Sequence, residues 1–348
     1  MDIRQEMRVS LIDRIKSKIT MKTVAIILIL LTLISICTTL FYFTPKMTLT
    51  ELVGVITNYD PNDLKHYVFW QIKVPRILGA IMVGALISVG GAVMQGITRN
   101  YLASPGIVGV DSGAMLGLSI AMAITGGATS YMSNIAFSMV GALISTLIIF
   151  TISSKIKGRE SGVKLLLAGN AIGMLFSGIS TAINIWSEQG QNINIWNNSG
   201  LLGIKWVAVF ILALGLIGIF IAVMISHKIT ILGMGEETAV SLGENVARTK
   251  ILGIVSVVII SSATVCTVGS IGFVGLVIPN MVKMAVGEDY RKVIPLSALF
   301  GSLLIIISDV ISRLVNQPAE TPLGTITSII GIPIFLYLIN SRKSKELA

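Results

Sequence analysis

Asp111 and Asp309 stand inside long apolar runs. A charge at the centre of a bilayer costs at least about 2.5 kcal/mol, so each calls for a partner or a polar pathway. Asp309 precedes Arg313 by four residues, which puts both on one helical face and lets them pair. Asp111 follows Gly106 and Gly109 and precedes Ser112 and Gly113, a stretch where backbone can approach closely. Its surroundings suit a helix cap and a polar patch in a pathway equally well. The polar segments add a third candidate, in which Gly235-Glu236-Glu237 opens a short stretch that Gly243 stops.

No catalytic centre assembles from the remaining residues. ATP hydrolysis needs a phosphate-cradling GxxxxGKS or GxxxxGKT loop, and the sequence has none. It also has no HExxH, CxxC or GxSxG. His66 and His227 are isolated in polar segments, and Ser, Asp and His form no nucleophile set. Cys37 and Cys266 lie far apart in apolar runs without metal-ligand spacing, as buried small hydrophobes do. An intramembrane hydrolase therefore has little support. The scarcity of serial polar residues in the runs weakens a proton-relay transporter.

The elements that must position these residues follow from composition. Of 348 residues, 53% are hydrophobic and only 12% charged, with a mean hydropathy of +0.86. Soluble domains carry about 25% charged residues, so a soluble fold could not cover its surface here. The chain reads as one all-α membrane domain over 1–348 with no room for a separate soluble domain. Apolar runs fall at 23–43, 76–97, 105–126, 131–153, 164–186, 204–226, 249–269, 271–286, 293–312 and 323–339. Gly269–Ser270 suits either a tight turn between two spans or a kink in one. The segment 1–22 is a basic terminus, 44–75 a polar loop with short amphipathic turns, and 227–248 a second large polar connection.

Ten spans put both termini on one side. With that side inside, 20 of the 26 lysines and arginines fall on inner segments. That bias supports the count, because basic loops stay cytoplasmic. The net charge of +9 thus reflects orientation and lipid contact, and no basic-aromatic cluster suggests nucleic acid. Lys73, Arg76 and Arg313 are among the six basic residues left outside, against the bias. They read as snorkelling helix-end anchors, or call for another reason to stand outside.

The connection ITILGMGEETAVSLGENVARTK contains a short helical stretch whose Ala239, Val240 and Leu242 are apolar. An interfacial anchor would favour basic residues on its polar face. Glu236, Glu237 and Glu244 are acidic, which favours docking into another protein.

LGMGEETAVSLGENVAR resembles the cytoplasmic coupling segment of the FecCD/BtuC-type permeases, membrane subunits of ABC importers for ferric siderophores, haem and cobalamin. KVPRILGAIMVGALISVGGAVMQGITRNYLASPGIVGV, GSIGFVGLVIPNMVKMAVGEDYRKVIPLSALFGSLLIIISDVISR and PAETPLGTITSIIGIPIFLYLI resemble further segments in the same order, over residues 20–340. The resemblance implies a ten-span permease that pairs with a second permease subunit, identical or paralogous. Two cytoplasmic ATPases would hold the ATP and magnesium, and an extracellular substrate-binding lipoprotein would deliver the ligand. It implies no catalytic site, metal or cofactor in this chain.

By the same resemblance Gly235, Glu236, Glu237, Ala239, Leu242 and Gly243 sit in a groove of the ATPase. Lys73, Arg76 and Arg313 meet acidic residues of the binding protein. Asn100, Leu102, Gly162 and Val163 form the cytoplasmic gate. The chain departs from the family pattern at Tyr101, where the family has Pro, and at Asn280, where it has His. The NYLASP form is similar to siderophore permeases of Gram-positive bacteria, so the expected ligand is an iron(III)–siderophore complex. Cobalamin or haem is the alternative, and a self-contained channel or exporter the remote one.

Overall fold

The structure is a computed structural model that describes residues 48–346 apart from 61, 105, 107, 108, 156–160 and 318, plus isolated positions between 26 and 37. The basic terminus at 1–22 and most of the expected first span at 23–43 lie outside the described residues. Every regular element among the described residues is helical. The order is α1 (Leu49–Thr57), α2 (Leu64–Val68), a π-helical turn (Phe69–Lys73), α3 (Val74–Thr98), α4 (Val110–Thr125), α5 (Tyr131–Lys155) and α6 (Ser161–Trp186). Then come α7 (Gly190–Asn198), α8 (Trp206–Gly233), α9 (Glu236–Ser241), α10 (Val246–Val268), α11 (Val274–Val286), α12 (Tyr290–Val315) and α13 (Leu323–Glu346).

Runs of Ile, Leu, Val and Ala without interior charge leave backbone hydrogen bonding to the helix itself, the stable solution in lipid. Helices α3, α5, α8, α10 and α12 are long and apolar enough to cross a membrane. Helices α4 and α11 are shorter than their apolar runs. With 16 and 13 residues they reach about 24 Å and 20 Å, less than the bilayer's hydrocarbon thickness of about 30 Å. Each starts a few residues after its apolar run begins, at Val110 and Val274. Gly269–Ser270 is therefore a turn between two helices: α10 ends at Val268, and Gly269 (φ 71°) carries the reversal.

Helix α3 is the hub, packed against α8, α10, α11 and α12, while α4 packs between α5 and α6. Small residues permit the closest crossings. A Cβ on Gly91 would overlap the backbone of Gly275 on α11, so the two helices touch main chain to main chain. Interhelical hydroxyl bonds reinforce the crossings, with Ser302 Oγ donating to Ile81 O at 2.7 Å and Ser256 Oγ to Gly218 O at 2.7 Å.

The described part of the polar loop, from Thr48 onward, is held by specific contacts. Thr48 and Glu51 form a reciprocal capping box at the start of α1. Trp70 Nε1 donates to Val55 O at 3.3 Å, and Trp206 Nε1 donates to Trp70 O at 2.9 Å. The two indoles tie the segment to the start of α8. Helix α7 fills what the apolar pattern leaves as a connection.

Candidate functional site

The start of α4 meets the turn between α10 and α11. Ser270 Oγ donates to Asp111 Oδ2 at 2.7 Å, joining the first turn of α4 to the α10–α11 turn. Beside them opens a cavity of about 420 Å³ whose lining includes Ser104, Asp111, Asn170, Ser261, Thr264 and Ser270. A second cavity of about 390 Å³ also has Ser270, Ile271 and Gly272 in its lining. The short segment 270–272 is thus a wall common to both. Irregular backbone at membrane depth is tolerated where it lines such a polar space. Asp111 therefore belongs to a cavity wall as well as to a helix start.

Asn197, at the end of α7, supports that wall. Its Oδ1 accepts from Ser270 N at 3.3 Å, and its carbonyl lies where a Cβ on residue 269 would fall. Ser261 is 2% exposed, and its Oγ has no hydrogen-bond partner among the described residues.

At one end of the bundle α11 contains Pro279, which has no N–H to give to the carbonyl four residues earlier. Gln95 of α3 takes over: its Nε2 lies 3.5 Å from Gly275 O and donates to Leu276 O at 3.1 Å. Asn280 Nδ2 donates to Leu276 O at 2.8 Å and to Tyr101 O at 2.9 Å. Lys283 Nζ donates to Gln95 Oε1 at 2.8 Å and stands over the rings of Tyr101 and Tyr290, 5.0 Å and 5.2 Å from their centroids. Tyr101 OH bonds Glu288. The two departures from the family pattern, Tyr101 and Asn280, are therefore in direct contact.

The expected gate residues divide. Asn100 and Leu102 belong to the turn that follows the left-handed Arg99 (φ 52°), with Leu102 N donating to Asn100 Oδ1 at 2.9 Å. Gly162 and Val163 stand in the first turn of α6.

The short helix expected around Glu236 forms as α9, and its side chains point two ways. Glu236 Oε1 pairs with Lys250 Nζ at 2.6 Å, and Ala239 is fully buried. These residues seat α9 on α10. Glu244 accepts from Thr249 Oγ1 at 2.8 Å and pairs with Lys228 at 3.1 Å, fastening the stretch after Gly243 to α8. The Thr249 hydroxyl and the Lys228 amine hold the Glu244 carboxyl below its ordinary range. Glu237, Val240 and Leu242 face outward, Leu242 being 62% exposed. Gly235 (φ 125°) and Gly243 (φ 81°) bracket the element.

At the opposite end Arg76, Asp309, Arg313 and Glu320 form one ion cluster. Arg76 donates to Asp309 Oδ1 from Nε at 3.0 Å and from Nη2 at 2.8 Å. It also grips Glu320 at 2.9 Å and 2.6 Å. Arg313 Nη2 donates to Asp309 Oδ2 at 2.7 Å, the pair that four-residue spacing calls for. The side chains of Arg76 and Arg313 are each 10% exposed, and Lys73 is buried beside them. Glu320 was invisible to sequence reasoning because it lies in a polar connection, far along the chain from Arg76. Asn197 and Ser270 were missed because their partners lie far along the chain, and Gln95 because it stands inside an apolar run, although Pro279 announces that a carbonyl of its helix needs a donor from elsewhere.

The sequence matches the FecCD transport family over residues 27–341. It is 40% identical over 289 residues to the iron(3+)-hydroxamate import system permease protein FhuB of Bacillus subtilis (strain 168), covering 83% of this chain and 75% of that one. It is 33% identical over 318 residues to the iron-uptake system permease protein FeuB of the same organism, covering 90% and 94%. The fold matches a solved inward-facing conformation of a putative metal-chelate type ABC transporter with TM-score 0.81 and 26% identity, covering 92% of this chain and 99% of that one.

Proposed function

Because the chain belongs to the FecCD transport family, we propose that it is the membrane-spanning permease subunit of an ATP-binding cassette importer that carries an iron(III)–siderophore complex into a bacterial cell. The observation that carries the substrate class is the likeness to the hydroxamate permease, which extends over 83% of this chain. The chain acts as one half of a pathway completed by a second permease subunit. The cavity beside Asp111 and Ser270 supports this reading, since its serine, threonine, asparagine and aspartate lining offers the hydrogen-bonding groups that a hydrophilic chelate needs.

In this reading ten spans place both termini and α9 in the cytoplasm, as the distribution of basic residues favours. Helix α9 docks on a partner ATPase through Glu237, Val240 and Leu242, while Glu236 and Ala239 keep it seated. ATP and Mg²⁺ belong to that partner. The turn at Asn100 and Leu102, with Gly162 and Val163, narrows the pathway on the cytoplasmic side. On the outer face Lys73, Arg76 and Arg313 receive acidic side chains of a binding lipoprotein. Glu320 is the resident carboxylate that an incoming acid replaces on Arg76.

Uptake of labelled iron chelates by cells lacking this gene tests the assignment. Loss of uptake of one or more ferric hydroxamates, restored by the gene, is the expected result. Unchanged iron uptake with loss of cobalamin or haem uptake would overturn the siderophore reading while keeping the importer architecture.

A further inference from the structure

Lys283 occupies a position that neither gating nor docking explains. It is buried in the last turn of α11, with its amine between two tyrosine rings that belong to different parts of the chain. One ring is Tyr101, on the turn proposed as the gate. The other is Tyr290, the first residue of α12. An ammonium over two aromatic rings is attracted by both quadrupoles, and the attraction grows when the site is desolvated. Each ring thereby senses where the other is.

The contacts continue in both directions. Tyr290 N donates to Thr230 Oγ1 at 2.9 Å. Thr230 lies in the last turn of α8, directly before α9, and the Tyr290 ring closes on Gly96 of α3. On the other side, Tyr101 O accepts from Asn280 and its hydroxyl bonds Glu288. Asn280 Oδ1 is buried with no hydrogen-bond partner among the described residues. A continuous chain of packed and hydrogen-bonded groups therefore runs from the base of the α9 segment to the 99–104 turn.

We propose that Lys283 is a positioning residue that couples the α9 segment to the gate turn, by caging its amine between Tyr290 and Tyr101. The inference rests on the importer reading above and assigns to one buried cation the transmission that the reading requires. Movement of the α8–α9 junction shifts Tyr290, the amine follows its ring, and Tyr101 moves with the amine. Lys283→Arg keeps the positive charge in a planar group able to stack on both rings, whereas Lys283→Met preserves bulk and removes charge.

The test uses the permease assembled with its ATPase in lipid nanodiscs, bearing Asn100→Cys as an accessibility reporter. In the parent complex, nucleotide should change maleimide labelling at that position several-fold. Lys283→Met should abolish the nucleotide response while the ATPase still co-purifies, and Lys283→Arg should restore most of it. Tyr101→Leu should abolish the response equally, and adding Lys283→Met to it should change nothing further. Tyr290→Phe, which keeps the ring, should respond as the parent does. A normal nucleotide response in assembled Lys283→Met overturns the proposal, as does failure of Lys283→Arg to restore it. If the parent reporter itself ignores nucleotide, the gate assignment fails, an outcome distinct from failure of the relay alone.

Discussion

Asp309 holds two guanidinium groups at once, one on each carboxylate oxygen, and its side chain is 5% exposed. Removing one member of a buried ionic set strands the others and costs about 3–5 kcal/mol, whereas a better-hydrated member costs far less. Glu320 is that better-hydrated member, with 24% of its side chain exposed. Asp309→Ala should therefore lower thermal stability in detergent by several degrees more than Glu320→Ala. Equal losses would mean that the cluster is not centred on Asp309. The same geometry alters how the outer docking surface is to be probed. Reversing Arg76 or Arg313 would place like charges beside Asp309, so a transport defect from such a variant reports folding as well as docking.

The short helix α9 separates its anchoring residues from its outward residues within a single turn and a half. Substituting Leu242→Asp should release the ATPase during purification, while Glu236→Gln should loosen the helix and reduce transport with less loss of binding. The reverse ranking, measured by co-purification from the same detergent, would move the docking surface to the other face. The anchor has a defined pH response. The Glu244 carboxyl is held below its ordinary value of 4.5, first by the Thr249 hydroxyl and then by Lys228. A depressed carboxylate stabilises above its unfolded value, and that contribution disappears as pH falls through the folded one. Local opening of residues 236–245, measured as hydrogen exchange normalised to the intrinsic rate at each pH, should thus be insensitive to pH between about 6 and 8 and rise only in acid, below the ordinary carboxylate range. Glu244→Gln should remove the acid-dependent rise.

At the scale of the whole molecule, orientation decides which cluster meets which partner. The α9 and gate residues occupy one end of the bundle, and the Arg76–Asp309 cluster the other. Single cysteines at exposed positions test the assignment, in a chain with Cys37 and Cys266 replaced by alanine. Asn58→Cys should react with a membrane-impermeant maleimide in intact spheroplasts. Leu242→Cys should react only after permeabilisation. Labelling of both from outside would refute the assigned orientation.

The amino-acid sequence by itself determined the membrane class, the long helices and the short helix after Gly235. These depend on local apolar length and on glycine breaks, which are properties of contiguous residues. It also contained the Asp309–Arg313 pair, because helical spacing alone brings positions four apart together. Tertiary structure decided everything that depends on where one helix stops against another. Helices α4 and α11 start after their apolar runs do, since the chain leading into each is held by contacts that a hydropathy pattern does not encode, as where Ser270 meets Asp111 and Asn197. Arg76 meets Glu320 across 244 positions, and Lys283 meets Gln95 across 188. Such contacts are set by how glycine-lined helices such as α3 and α11 cross, and no periodicity within either segment specifies the neighbour. The hub helix α3 brings both together: Arg76 near its start serves the ion cluster, and Gln95 near its end serves the proposed relay.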